Sequence, residues 1–65
     1  GVEKNILASI QWYEKSASQG YSVASNNLGE IFFAGEDNIS PDREKAIFWY
    51  KKAEEQGFAH VRKLD

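Results

Sequence analysis

The amino-acid sequence predicts an all-α helical-repeat solenoid of about three helices followed by a truncated fourth. Three observations carry that prediction. One stretch occurs twice, apolar residues recur at intervals of three and four, and glycines or a Ser-Pro pair punctuate the gaps between periodic segments. Residues 10–21 align with residues 47–58 at an offset of 37, and six of the twelve pairs are identical: Ile, Trp, Tyr, Lys, Gln and Gly. The twelfth pair, Tyr21 with Phe58, keeps an aromatic ring. A repeat of that length marks a supersecondary unit stacked on a copy of itself. Such an object offers a binding surface rather than a catalytic centre.

The first helix is expected from about residue 2 to residue 18. Ile6, Ile10, Tyr13 and Ala17 fall on one helical face, and Gln19-Gly20 ends it, with Gly20 placed for the left-handed conformation past a helix terminus. The second helix is expected over residues 22–34, burying Ala24, Leu28, Ile31 and Phe32. Gly29 sits inside it. An interior glycine costs about 1 kcal/mol relative to alanine, which makes sense if another helix crosses closely there. Residues 35–39 form a loop rich in turn-formers, with Ile39 tucked back onto the helices. Ser40 then suits an N-cap, Pro41 the first helical position, and Asp42 and Glu44 the positive end of the helix dipole. The third helix runs to about Gln56, with Ala46, Trp49, Tyr50 and Ala53 inward and Gly57 as its stop. Residues 58–65 read as the first two turns of a fourth helix.

Composition narrows the function. Sixty-five residues make at most one small domain, marginal unless something reinforces it. There is no cysteine, and His60 is the only histidine, so neither a disulfide nor an ordinary zinc site can serve. No cofactor is expected. A net charge of −2, mixed along the chain, lacks the basic patch that nucleic-acid binding needs. No apolar run approaches the roughly 20 residues of a membrane span. Residues 1–5 carry no signal-peptide hydrophobic segment; the expectation is a cytoplasmic location, although a leader removed earlier would leave the same sequence.

These residues together resemble the Sel-one-like repeats, a subclass of the tetratricopeptide-like helical repeats. Ser22, Ala24, Leu28, Gly29, Phe32 and Gly35 match the first half of that pattern. Asp42, Lys45, Ala46, Trp49, Tyr50, Lys52, Ala53, Gln56 and Gly57 match the second. The resemblance divides the chain into the second helix of a preceding repeat (1–20), one full repeat (21–57) and the start of a further helix (58–65). The loop is one residue longer than the family's, with Asp37-Asn38 where glycine is preferred, and Ser9 and Ser16 stand where the later copy has Ala46 and Ala53.

The resemblance implies a right-handed α-α superhelix acting as a protein-interaction scaffold, often in bacterial signalling and membrane-associated quality control. It also implies that the first helix of each repeat lines the concave face. Combined with the helical period, that turns Val23, Asn26, Asn27, Glu30 and Phe33 towards a protein or peptide partner.

Plainer readings stand beside these. The Trp12-Tyr13 and Trp49-Tyr50 pairs could be interface anchors, but their recurrence argues for core or inter-repeat packing, less firmly for Trp12, which has no preceding helix to meet. Phe33 cannot share the core with Phe32, so it is either an exposed anchor or packed on the Ile39 loop. Asn26 and Asn27 are either clamps on a peptide backbone or solvated polar residues. His60 reads as an exposed residue on the fourth helix. Glu54-Glu55 and Glu36-Asp37 are adjacent carboxylates that point apart, and one repeat makes no deep cleft for a catalytic pair. The leading expectation is a non-catalytic interaction module. Its rival is a self-assembling unit, either a homo-oligomer or a piece stacked on further repeats, through apolar ends at Ile6, Ile10 and Trp12 and at Phe58, Val61 and Leu64. An enzyme is disfavoured, since no nucleophile, base or metal set converges.

Overall fold

The computed structural model describes residues 5–36 and 39–64. It contains three helices among them: α1 (Ile6–Ser18), α2 (Ser22–Ala34) and α3 (Arg43–Glu55). The central helix α2 packs against α1 on one side and α3 on the other. No helix among the described residues is long and apolar enough to cross a membrane.

Each element has a local cause. Asn5 is extended (φ −103°, ψ 96°) and its side chain accepts from the Ala8 N–H, so α1 starts at Ile6 rather than near residue 2; residues 1–4 lie outside the described part. Ile6, Ile10 and Ala17 are buried and Tyr13 packs half-buried against them, as the periodicity predicts. Gly20 and Gly57 both take positive φ, 95° and 107°, where a side chain would be strained, and they stop α1 and α3. In α2 the expected stripe of Ala24, Leu28, Ile31 and Phe32 is buried, joined by Ser25 and Gly29. Gly29 is the crossing point. A Cβ there would stand 2.5 Å from Cδ1 of Tyr50, so only hydrogen lets the α3 ring lie flat on the α2 backbone.

The loop closes through Glu36 and Ile39, which exchange backbone hydrogen bonds of 3.1 and 2.7 Å, and Ile39 tucks half-buried onto the core. The expectation for Asp37-Asn38 falls outside the described residues. The start of α3 differs from the sequence expectation. Asp42 rather than Ser40 is the N-cap, and Pro41 precedes the cap instead of opening the helix. The cause is a tertiary bond. The Asp42 N–H donates to Phe32 O at 2.7 Å, holding Asp42 extended (φ −137°) while its carboxylate accepts from the Lys45 N–H at 3.1 Å. Pro41 then rests against Gly35.

The predicted fourth helix is not there. Residues 58–64 leave α3 through the Phe58 N–H, bonded to Ala53 O, and continue without helical turns. Phe58, Ala59 and His60 supply no capping side chain that would start a helix. Val61 and Leu64 pack against the core instead, and His60 is exposed but on no helix.

Candidate interaction face of the central helix

The five residues expected to face a partner lie on α2, and the structure gives them different surroundings. Val23 is 59% exposed near the start of the helix. Asn26 and Asn27 are half-buried. Asn27 lines an open groove of about 360 Å³ between α1 and α2, together with Ile6, Ser9, Tyr13, Glu30 and Ile31. Glu30 lies at the groove wall, and Phe33, one turn on, is 38% exposed. The structure therefore joins Asn27 and Glu30 in one groove and sets Glu30 and Phe33 beside Arg62, with Val23 and Asn26 one helical turn before Asn27 and Glu30.

Glu30 and Phe33 are engaged by partners that sequence reasoning missed. The Tyr50 hydroxyl donates to Glu30 Oε2 at 2.7 Å, and Arg62 Nη2 reaches the same oxygen at 3.4 Å. The Arg62 guanidinium rides over the Phe33 ring, 4.5 Å from its centroid. Burial, and then the hydrogen bond to the Glu30 carboxylate, push the Tyr50 hydroxyl up to about 12. Further along the same segment Lys63 pairs with Glu54 at 2.6 Å, and Arg43 donates to the Leu64 carbonyl. Between the segment and α3 a space of about 300 Å³ remains, bordered by Ile47, Tyr50, Val61 and Leu64. Both ion pairs are exposed, so solvent screens them and they contribute little to stability. Arg62 carried no signal in the sequence because a helical register was assumed for its segment.

Gln56 is a second residue whose role emerges only in three dimensions, although its recurrence as Gln19 singled it out. Ser25 is wholly buried on α2; its Oγ donates to Gln56 Oε1 at 2.5 Å, while Gln56 Nε2 donates to Ala17 O at 2.8 Å. One side chain therefore ties the ends of α1 and α3 to α2.

The paired aromatics behave unequally. Tyr50 is buried, Tyr13 and Trp49 pack half-buried on the core, and Phe48 meets Trp49 edge-on at 5.0 Å. Trp12 is 65% exposed and outside the core formed with α2, because the stripe of Ile6, Ile10 and Ala17 that faces α2 leaves it on another side of α1. The apolar ends expected for self-association are also reduced. Ile6 and Ile10 are buried against α2, and Phe58, Val61 and Leu64 are half-buried. No cluster of three or more His, Asp or Glu suited to a metal occurs among the described residues.

Comparison with known proteins agrees with this architecture. The Sel1 repeat matches residues 1–21 and again residues 22–58. The chain is 33% identical, over 80% of its length, to the "ERAD-associated E3 ubiquitin-protein ligase component HRD3B" of Arabidopsis thaliana, of which the match covers 9%. It is 31% identical, over 94% of its length, to "Chitin synthase regulatory factor 3" of Schizosaccharomyces pombe, of which the match covers 6%. The chain thus spans less than a tenth of either relative. No solved structure matches it.

Proposed function

The chain belongs to the Sel1 repeat family, and from that premise we propose that it is a non-catalytic protein-interaction module whose α2 face receives a protein or peptide partner. The observation that supports this most directly is the composition of that face. Val23 and Phe33 stand partly open to solvent at its two ends, and the polar Asn26, Asn27 and Glu30 lie between them. Apolar anchors flanked by polar groups are how interfaces combine affinity with orientation. The two relatives, a component of a ligase assembly and a regulatory factor of another enzyme, carry names that fit an adaptor role. Residues 21–57 act as one whole repeat in this reading, with residues 1–20 closing its near side.

A photo-crosslinking amino acid placed singly at Val23, Asn26 and Phe33, and at Glu14 and Glu55 on other surfaces, tests the proposal. Adducts concentrated at the first three positions are expected. Adducts spread evenly over all five would remove the α2 face from consideration.

A self-assembling unit is the second reading, favoured by exposed Leu7 and Trp12 on α1. Sedimentation separates the two readings: a mass that climbs with concentration, and falls back on Trp12→Lys, favours assembly.

A further inference from the structure

Helix α3 carries an exposed aromatic on the side that its packing does not use. Phe48 stands two residues from Ala46 and two from Tyr50, both buried against α2, so it projects from the opposite side of the helix. It is 58% exposed. A single exposed apolar side chain is ordinary, but the company of this one is not. Its neighbours on the helix surface, three and four positions away, are Glu44, Lys45, Lys51 and Lys52. That sets three lysines against one glutamate in a chain whose net charge is −2. Among the described residues none of these lysines has an ion-pair partner. Lys45 lies over the Phe32 ring, its ammonium 5.3 Å from the centroid. Phe48 itself is held by Trp49, the two rings meeting edge-on at 5.0 Å and 87°. A side chain fixed before its partner arrives loses little freedom on binding.

The internal repeat shows that the fold does not require this patch. Set back by 37 positions, Lys45, Phe48 and Lys51 become Ala8, Gln11 and Glu14. Those three are exposed on α1, which packs against α2 with neither an aromatic nor clustered cations there.

We propose that this outer face of α3 is a docking site for an acidic segment of a partner protein, one in which carboxylates flank an aromatic side chain. The site lies on a different helix from the α2 face and goes beyond that reading without resting on it.

Charge complementarity identifies the occupant. A partner ring against Phe48 places flanking carboxylates over Lys45 on one turn and over Lys51 and Lys52 on the next. Glu44 bounds the patch before Lys45, and Glu55 bounds it a turn beyond Lys51 and Lys52. An anionic lipid surface or a nucleic-acid strand presents negative charge continuously, and would meet those two carboxylates together with the lysines. A short acidic segment meets the lysines alone. Because the lysines sit in solvent, they supply orientation and encounter rate, and the aromatic contact supplies most of the affinity.

The test is calorimetric titration of the chain with a peptide of one central phenylalanine between two runs of three glutamates. Variants take the residues that α1 already carries at the matching exposed positions, and circular dichroism checks that each keeps its helices. Phe48→Gln is expected to weaken binding about tenfold, and Lys45→Ala and Lys51→Glu a few-fold each. Added salt should weaken it further, and a peptide with glutamine in place of every glutamate should bind about tenfold less tightly. Equal affinity for the unsubstituted, Phe48→Gln and Lys51→Glu chains, or no binding by the unsubstituted chain, overturns the proposal. Tighter binding to phosphatidylserine vesicles or to oligothymidylate than to the peptide also overturns it, and assigns the patch to a membrane or a nucleic acid. Binding that falls with Val23→Asn but not with Phe48→Gln puts the peptide on α2, which removes the α3 site and leaves the α2 interaction face standing.

Discussion

Helices α1 and α3 share an Ile-x-Trp-Tyr-x-Lys motif and use it differently. Tyr50 lies on Gly29, 2% exposed, with its hydroxyl on Glu30, whereas its counterpart Tyr13 is half-buried at the mouth of a groove. Gln56 bridges two other helices, while Gln19 is exposed at the C-cap of α1. Among the described residues α2 is the only helix against α1, and it approaches from a different side than it does in α3. A repeated motif thus fixes a helix with two usable strips, and the neighbours decide which is buried. Substitutions that are equivalent in sequence should then differ in effect, and four experiments test how far.

The largest difference is expected for the tyrosines. Tyr50→Ala removes a buried ring and should cost about 3–5 kcal/mol, whereas Tyr13→Ala should cost roughly a third of that. For so small a domain the first loss reads directly as collapse of far-UV helicity, and urea melts quantify the second. Equal losses would mean that the two strips contribute alike, against the contrast drawn from burial.

Gly29→Ala comes next. Helix propensity favours alanine by about 1 kcal/mol, but the new methyl must move a buried ring, which costs about 1–3 kcal/mol. A net loss is expected in a thermal melt, and it should disappear when Tyr50 has already been replaced by alanine. A loss that persists unchanged in that background would place the tight approach elsewhere.

The glutamines sharpen the comparison further. Gln56→Ala leaves the hydroxyl of fully buried Ser25 without its acceptor, at a cost of about 1–3 kcal/mol, and Gln19→Ala should change stability by less than about 0.5 kcal/mol. Denaturant midpoints for the two variants should therefore separate clearly.

The smallest effect is one of pH. The Tyr50 proton is held more tightly in the folded chain, up to about 12, than by an unfolded tyrosine near 10. Its contribution to stability is therefore complete below about pH 10 and is lost as the pH climbs towards 12. Tyr50→Phe should flatten that part of the stability curve and, by removing the hydrogen bond to Glu30, lower the neutral region by about 1 kcal/mol. A curve that keeps its alkaline fall in Tyr50→Phe assigns the fall to another group.

Much of the fold was legible because it rests on periodicity and punctuation. The stripes of α1 and α2, the stops at Gly20 and Gly57, and the crossing implied by Gly29 all follow from one helix at a time. The misreadings share a cause, which is that contacts between elements override local preference. Ser40-Pro41 is a good helix start in isolation, but the bond from Asp42 to Phe32 moves the cap two residues on. The surroundings of Glu30 and Phe33 depend on Arg62, which reaches them across 32 and 29 positions of chain, beyond the range of any helical pattern.

The Gln56 bridge bears on shape as well as stability. Its two arms, to Ser25 and to the last turn of α1, span a repeat and the helix before it, so together they gauge the angle between neighbours. In an array of such units a deviation of a few degrees at each junction accumulates along the axis. A glutamine that sets this angle would thereby set the pitch and curvature of a whole superhelix, and a change of one methylene at that position could redraw a surface many repeats away.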